Sequence, residues 1–257
     1  MNMTIDYSHK RFWYLLPFGL IIIALNTGCG SKDKPKNSNT DMITSDTTGL
    51  THSLPAPRLT GSISLEEVLA VRRSHRSYTG EAVTAEELSQ ILWAAYGINK
   101  PLSNPKFGGG FRTAPSAGAT YPLNIYVLVG NVTGIPTGYY RYIPDGHKIL
   151  RINDRDLKPD LCNASYNQGM IKDAPVCLFY SATFSRTTER YGNRGRERYV
   201  CMDLGHSAEN VYLQAEALHL GTCAIGAFDD PAVKKAVNLP DQEVPLYIMP
   251  IGKYNQE

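Results

Sequence analysis

Apolar positions recur at helical spacing in some stretches of the chain and alternate or run together in others, so helices and strands are interleaved. Leu65, Val68 and Leu69 follow a Ser64-x-x-Glu67 capping box, which predicts a helix that runs into Arg72-Arg73-Ser74. Thr84 and Glu87 repeat that signature ahead of Leu88, Ile91, Leu92 and Ala95, with Gly97 as the stop. The longest stripe, Leu204, Ala208, Val211, Ala215 and Leu218, predicts a core helix over about 199–220 closed by Gly221. A short helix is expected over 157–164, and another starts at Asp230-Pro231.

Strands are expected over 124–129, 139–143, 148–152, 174–180, 223–227 and 246–251. The second and third flank Pro144-Asp145-Gly146-His147, a hairpin turn, and the continuous apolar run of the fourth suits a central strand. Residues 100–113 are rich in Gly, Pro and Asn and read as one long loop. Without strict βαβ alternation, the order favours an α+β sheet over a doubly wound one.

The N-terminal region breaks this pattern. Lys10 and Arg11 precede an apolar run over 12–25 that is too short to span a bilayer, and Gly28-Cys29 follows. This describes an export signal over 1–29 and resembles a bacterial lipobox, with Asn26 where such motifs favour Leu. Cys29 is then the lipidated residue and the protein a membrane-anchored lipoprotein of the bacterial periplasm or cell envelope. A plain signal peptide or uncleaved anchor is the alternative. Residues 30–57 are polar and read as a tether, leaving 58–257 as the folded domain.

Composition narrows the function classes. The 257-residue chain is 42% hydrophobic and carries a formal net charge of +2 with its charges dispersed, which argues against a nucleic-acid binder. Cys162, Cys177, Cys201 and Cys223 lack metal-ligand spacing, and no metal site is expected. Cys177 and Cys223 sit in apolar runs and read as buried thiols, with disulfide pairing the alternative.

Three patches carry candidate chemistry. Arg72-Arg73-Ser74-His75-Arg76 can fork onto phosphate oxygens, or can be a solvated basic helix end. The segment from Arg112 through Pro115-Ser116-Ala117-Gly118 to Tyr121-Pro122 lets backbone approach a flat ligand, or is an ordinary turn. The third, 220–228, offers backbone near Gly226, or tight strand packing. Lys253 after Gly252 adds a cation at the C-terminal end.

Together with Arg190-Tyr191-Gly192 and Asp203-x-Gly205-His206, these patches resemble the nitroreductase family of FMN flavoproteins, in detail its SagB-type, azoline dehydrogenase-like branch, over about 65–253. The resemblance implies a nitroreductase-like mixed or antiparallel sheet flanked by helices, in a domain-swapped type of homodimer. It implies FMN as cofactor and ping-pong hydride transfer with a small-molecule substrate that it does not identify, nor does it name the electron donor or acceptor. Arg72 and Ser74 are placed at the FMN phosphate and ribityl chain and Arg76 nearer the pyrimidine edge, with Arg73 counted among the cofactor-binding residues. Pro115, Ser116, Ala117 and Gly118 reach the flavin of the partner subunit. Ile225, Gly226 and Ala227 lie beside N5, and Gly252 and Lys253 near the phosphate. Tyr121 and Tyr191 are substrate-side candidates.

The sequence departs from the pattern of simple nitroreductases at Ala119 and Tyr121, where they carry Asn and Gln. That difference points away from nitroarene reduction. No general acid stands out, and His206 reads as a core histidine. Residues 190–198 read either as an entrance lining or as a solvated loop. A non-catalytic flavin- or ligand-binding lipoprotein of the same fold is the alternative function.

Overall fold

In the computed structural model the described residues are 51–103 and 109–255. Cys29, the signal segment and most of the tether lie outside them. A strand precedes the expected boundary of 58. Thr51–Ser53 forms strand β1, which pairs with Lys148–Asn153 (β6), and Leu54 behind it is buried. The short strand is held by ladder bonds and one apolar anchor, which leaves little signal in so polar a stretch.

The expected α+β architecture is present. The other strands of the main sheet are β4 (Leu123–Val129), β5 (Gly138–Ile143), β7 (Val176–Ala182), β8 (Leu220–Thr222) and β9 (Val244–Lys253). Their order is β1-β6-β5-β4-β7-β9-β8, and every neighbouring pair is antiparallel. β7 is an interior strand, paired with β4 on one side and β9 on the other, as its unbroken apolar run requires.

Side-chain alternation splits the core in two. Ile125, Val127, Leu178, Tyr180 and Met249 point to one face, against α2 (Ala85–Tyr96) and α6 (Val200–Ala217). Tyr126, Leu128, Cys177, Phe179 and Ile248 point to the other, against α3 (Lys158–Ala164), α4 (Met170–Asp173) and α7 (Asp230–Ala236). Each such fully buried apolar side chain contributes about 1.5–3 kcal/mol. Cys162, Cys177 and Cys223 are buried and free; Cys201 is free and exposed.

Five expectations need correction. α1 covers only Leu65–Val71, because Arg72 turns extended and the chain runs to the sheet edge, where the His75 N–H bonds the Thr222 carbonyl. Residues 100–113 are not one loop, since β2 (Ile98–Pro101) and β3 (Gly110–Arg112) pair as a separate hairpin. Gly110 permits this pairing, because a Cβ there would run into the Lys100 carbonyl. α6 ends at Ala217, and His219, at φ 56°, makes the left-handed turn expected of Gly221. Gly221 lies instead in β8, so that strand comes earlier than 223–227, where only the single bridge between Ile225 and Ile248 forms. Finally, residues 190–198 are not a loop: α5 (Ser185–Arg194), kinked at Gly192 where φ is 55°, leads through a wider, π-type turn (Gly195–Tyr199) into α6.

Candidate functional site

The first and third patches meet at the β8 edge. Extended residues after α1 bring Ser74 Oγ to 3.1 Å from the Tyr212 hydroxyl, and that hydroxyl accepts the Ala224 N–H at 2.7 Å. One phenol on α6 therefore ties Arg72–Arg76 to the segment leading into Ile225. The Arg72 guanidinium stacks 5.3 Å from the Tyr212 ring centroid. Among the described residues, no carboxylate pairs with Arg72 or Arg76. Next along the chain, Gly226 and Ala227 are exposed, and their N–H groups take no partner among the described residues.

Other candidates here have structural duties. Arg73 turns back to donate to the Arg72 carbonyl at 2.8 Å and the Ala70 carbonyl at 3.4 Å, closing the end of α1. Gly252 is buried in β9, where a Cβ would press on the Pro175 ring. Lys253 lies 3.6 Å from Glu81 in an ion pair, and its carbonyl accepts the Thr79 N–H. A cavity of about 360 Å³ borders Ser74, His75, Arg76, Tyr78 and Tyr254. The His75 ring stacks on Tyr254 with centroids 3.7 Å apart.

The second patch is built by Asp203 on α6. The Ser116 hydroxyl donates to Asp203 Oδ2 at 2.6 Å, the Ala117 N–H to Oδ1 at 3.2 Å, and Ser116 Oγ accepts the Tyr121 N–H at 2.9 Å. This holds Gly118, Ala119 and Tyr121 at positive φ of 62°, 53° and 46°. For the two non-glycine residues such backbone costs on the order of 1–3 kcal/mol each and persists only where surroundings impose it. Burial pushes the Asp203 carboxyl above its ordinary pKa, against the lowering effect of its Ser116 and Ala117 donors and of His206.

The two substrate-side candidates both lie at this patch. Arg190 donates to the Gly118 carbonyl at 3.5 Å, and Tyr191 is close enough that a Cβ on Gly118 would meet its hydroxyl. Tyr121 is buried, edge-on to Tyr96 with centroids 6.0 Å apart. His206 is exposed, not a core residue, since α6 turns the positions after Asp203 and Leu204 away from the sheet.

Within one chain the patches stay apart. Asp203 and Tyr212 are nine residues apart on α6, hence about 13 Å along its axis and half a turn around it. Of the two organisers, sequence reading missed Tyr212 and named Asp203 only as part of a motif, without a role. Neither sits in a phosphate-like motif; each is a polar group flanking the apolar stripe of α6, one on either side of it.

Comparison with known proteins agrees with this fold. The model of the nitroreductase family matches residues 69–253. A Methanocaldococcus jannaschii protein assigned by name to the nitroreductases is 47% identical over 191 residues, which cover 74% of this chain and 91% of that one. A Ralstonia eutropha structure named in the same class superposes with a TM-score of 0.68 at 29% identity, covering 80% and 90% of the two chains. The NADPH:FMN oxidoreductase of Vibrio harveyi, complexed with NAD+, shares the fold with a TM-score of 0.52 at 20% identity, covering 75% and 69%. The microcin B17-processing protein of Escherichia coli is 26% identical over 164 residues, 61% of this chain and 59% of its own.

Proposed function

The chain belongs to the nitroreductase family, and from that premise we propose that it is an FMN-dependent oxidoreductase of the SagB-type branch, acting as a homodimer on a small-molecule substrate. Family members are generally flavin-dependent oxidoreductases. The likeness to the microcin B17-processing protein supports the branch.

The observation that carries the reading is the Ser74–Tyr212–Ala224 connection, which sets two guanidiniums without carboxylate partners beside two backbone donors. These residues fit FMN. Arg72 and Ser74 would hold its phosphate and ribityl chain by charge-assisted bonds, Arg76 its pyrimidine edge, and Ile225–Ala227 would lie along the ring. FMN, when bound, supplies hydride transfer in two half-reactions. The protein's own work is to bind and orient. Tyr212 fixes Ser74 relative to Ala224, and Asp203 presents the Pro115–Gly118 backbone in the shape needed to reach across to a partner subunit's site. The 13 Å offset along α6 favours that cross-subunit role over contact within one chain.

The protein is further proposed to be exported and held at the membrane by lipid on Cys29. Among the described residues no helix is long and apolar enough to cross a membrane. Export separates the enzyme from cytoplasmic reduced nicotinamides, so the reading includes a donor or acceptor of another class, such as a quinone or a redox protein. The test is reconstitution with FMN, anaerobic mixing with NADPH monitored by flavin bleaching, and, after stoichiometric reduction with dithionite, mixing with an oxidised quinone monitored by return of the flavin spectrum. Bleaching by NADPH or reoxidation by the quinone supports the oxidoreductase. A bound flavin that NADPH does not reduce and the quinone does not reoxidise would reject it in favour of a binding protein.

A further inference from the structure

A second cavity, of about 330 Å³, opens where β3, β4, β5 and α5 converge. Three guanidiniums line it, from Arg112 on β3, Arg141 on β5 and Arg186 on α5, together with the Asn124 amide. No aspartate or glutamate lines it, and among the described residues none of the three arginines is paired with a carboxylate. The buried Glu243 is engaged elsewhere, by the Tyr126 and Ser181 hydroxyls.

Their present partners are neutral. Arg141 Nη2 donates to Asn124 Oδ1 at 3.0 Å; Arg186 Nη1 donates to the same oxygen and to the Tyr121 carbonyl, both at 3.2 Å. Arg112 Nη1 reaches the Tyr96 carbonyl at 3.4 Å, and Arg112 Nε is buried with no partner. A guanidinium carries five N–H donors, so most of the donor capacity is unspent. Tyr96 and Tyr121 stack on Arg112 with centroids 4.4 and 4.7 Å from its Cζ, which leaves the in-plane edge to meet a ligand. That edge is the part that forks onto a carboxylate. Burial, with some help from the charge on Arg186, lowers the Arg112 pKa, so an anion here relieves an existing cost. Leu123, Ile125 and Ile143 give the remaining wall an apolar part, beside Thr120 and Tyr142.

We propose that this cavity binds a small organic carboxylate, its oxygens forked by Arg141 and Arg186 with Arg112 behind them, and its apolar body against Ile125 and Ile143. The size is at the small end of ligand pockets, suited to a ring or branched chain and not to a nucleotide. The site does not depend on flavin chemistry, and it is separate from Arg72–Arg76.

Isothermal titration of the full chain with benzoate, benzyl alcohol and inorganic phosphate tests this directly. Benzoate is expected to bind saturably and benzyl alcohol not at all. Arg141→Gln and Arg186→Gln should each weaken benzoate about tenfold or more, and Arg186→Lys should recover only part of the loss. Near-UV circular dichroism checks the fold of each variant. Arg186 is exposed, so its variants carry the test if Arg141→Gln does not fold. Absence of saturable benzoate binding, equal binding of benzyl alcohol, tighter binding of phosphate, or undiminished binding by the folded glutamine variants would each overturn the proposal.

Discussion

The Tyr212 hydroxyl stands 3.1 Å from Ser74 Oγ while accepting the Ala224 N–H, so one side chain on α6 sets the spacing of two segments 150 residues apart. Tyr212→Phe keeps the ring that stacks on Arg72 and removes only the hydroxyl. Loss of such hydrogen bonds costs about 1–1.5 kcal/mol, or roughly tenfold in binding. The unfolding free energy should fall by about that amount, and FMN affinity measured by fluorescence quenching should fall with it.

Asp203 is 2% exposed, and its carboxylate accepts both the Ser116 hydroxyl and the Ala117 N–H. Asp203→Ala leaves both donors without their acceptor, next to backbone held at positive φ. A loss of about 2–4 kcal/mol in urea unfolding is expected. The 113–121 segment should also become protease-sensitive, whereas a merely exposed acid would give neither effect.

His147 makes stability pH-dependent. Ser89 donates its hydroxyl hydrogen to the Pro55 carbonyl at 2.5 Å, so His147 Nε2 must donate to Ser89 at 2.7 Å, and Nδ1 accepts from Tyr142 at 2.8 Å. This is a neutral ring, and burial holds its pKa below the usual value. A lowered folded-state pKa means that the unfolded chain binds the proton more tightly. The contribution is therefore complete above about pH 6.5 and is lost as pH falls toward the folded value. Urea midpoints from about pH 5 to 7.5 should fall toward acid more steeply for the wild type than for His147→Asn.

Lipidation is a sharp test of the N-terminal reading. Labelled palmitate should enter the wild type and be absent from Cys29→Ala, with the label in the membrane fraction. A soluble, unlabelled wild-type protein would remove both the anchor and the argument for an unusual electron donor.

What could be read from the sequence follows from how local each determinant is. Both capping boxes form reciprocally, Ser64 with Glu67 and Thr84 with Glu87, because their partners lie three residues apart. β4, β5, β6, β7 and β9 follow from their apolar runs and the 144–147 turn. The exit of Arg72–Arg76 from α1 is set by the bond from His75 to Thr222, far along the chain, and so is invisible locally. Helix termination at His219 in place of Gly221 has the same origin, since β8 must pair with β9. At the site, Arg72, Ser74 and Arg76 were legible as a phosphate-like cluster. The duties of Arg73 and Gly252 in capping and packing were not, because each depends on where a carbonyl or a ring falls in space.

The central claim is that Arg72, Ser74 and Arg76, joined through Tyr212 to Ala224, hold FMN. The most direct measurement is the visible spectrum of the purified chain from Thr51 onward, after incubation with FMN and gel filtration, for the wild type and for Arg72→Ala with Arg76→Ala. The account predicts a protein-bound flavin spectrum in the wild type and its loss in the folded double variant. A wild type that emerges colourless, or a double variant that retains its flavin in full, would contradict it.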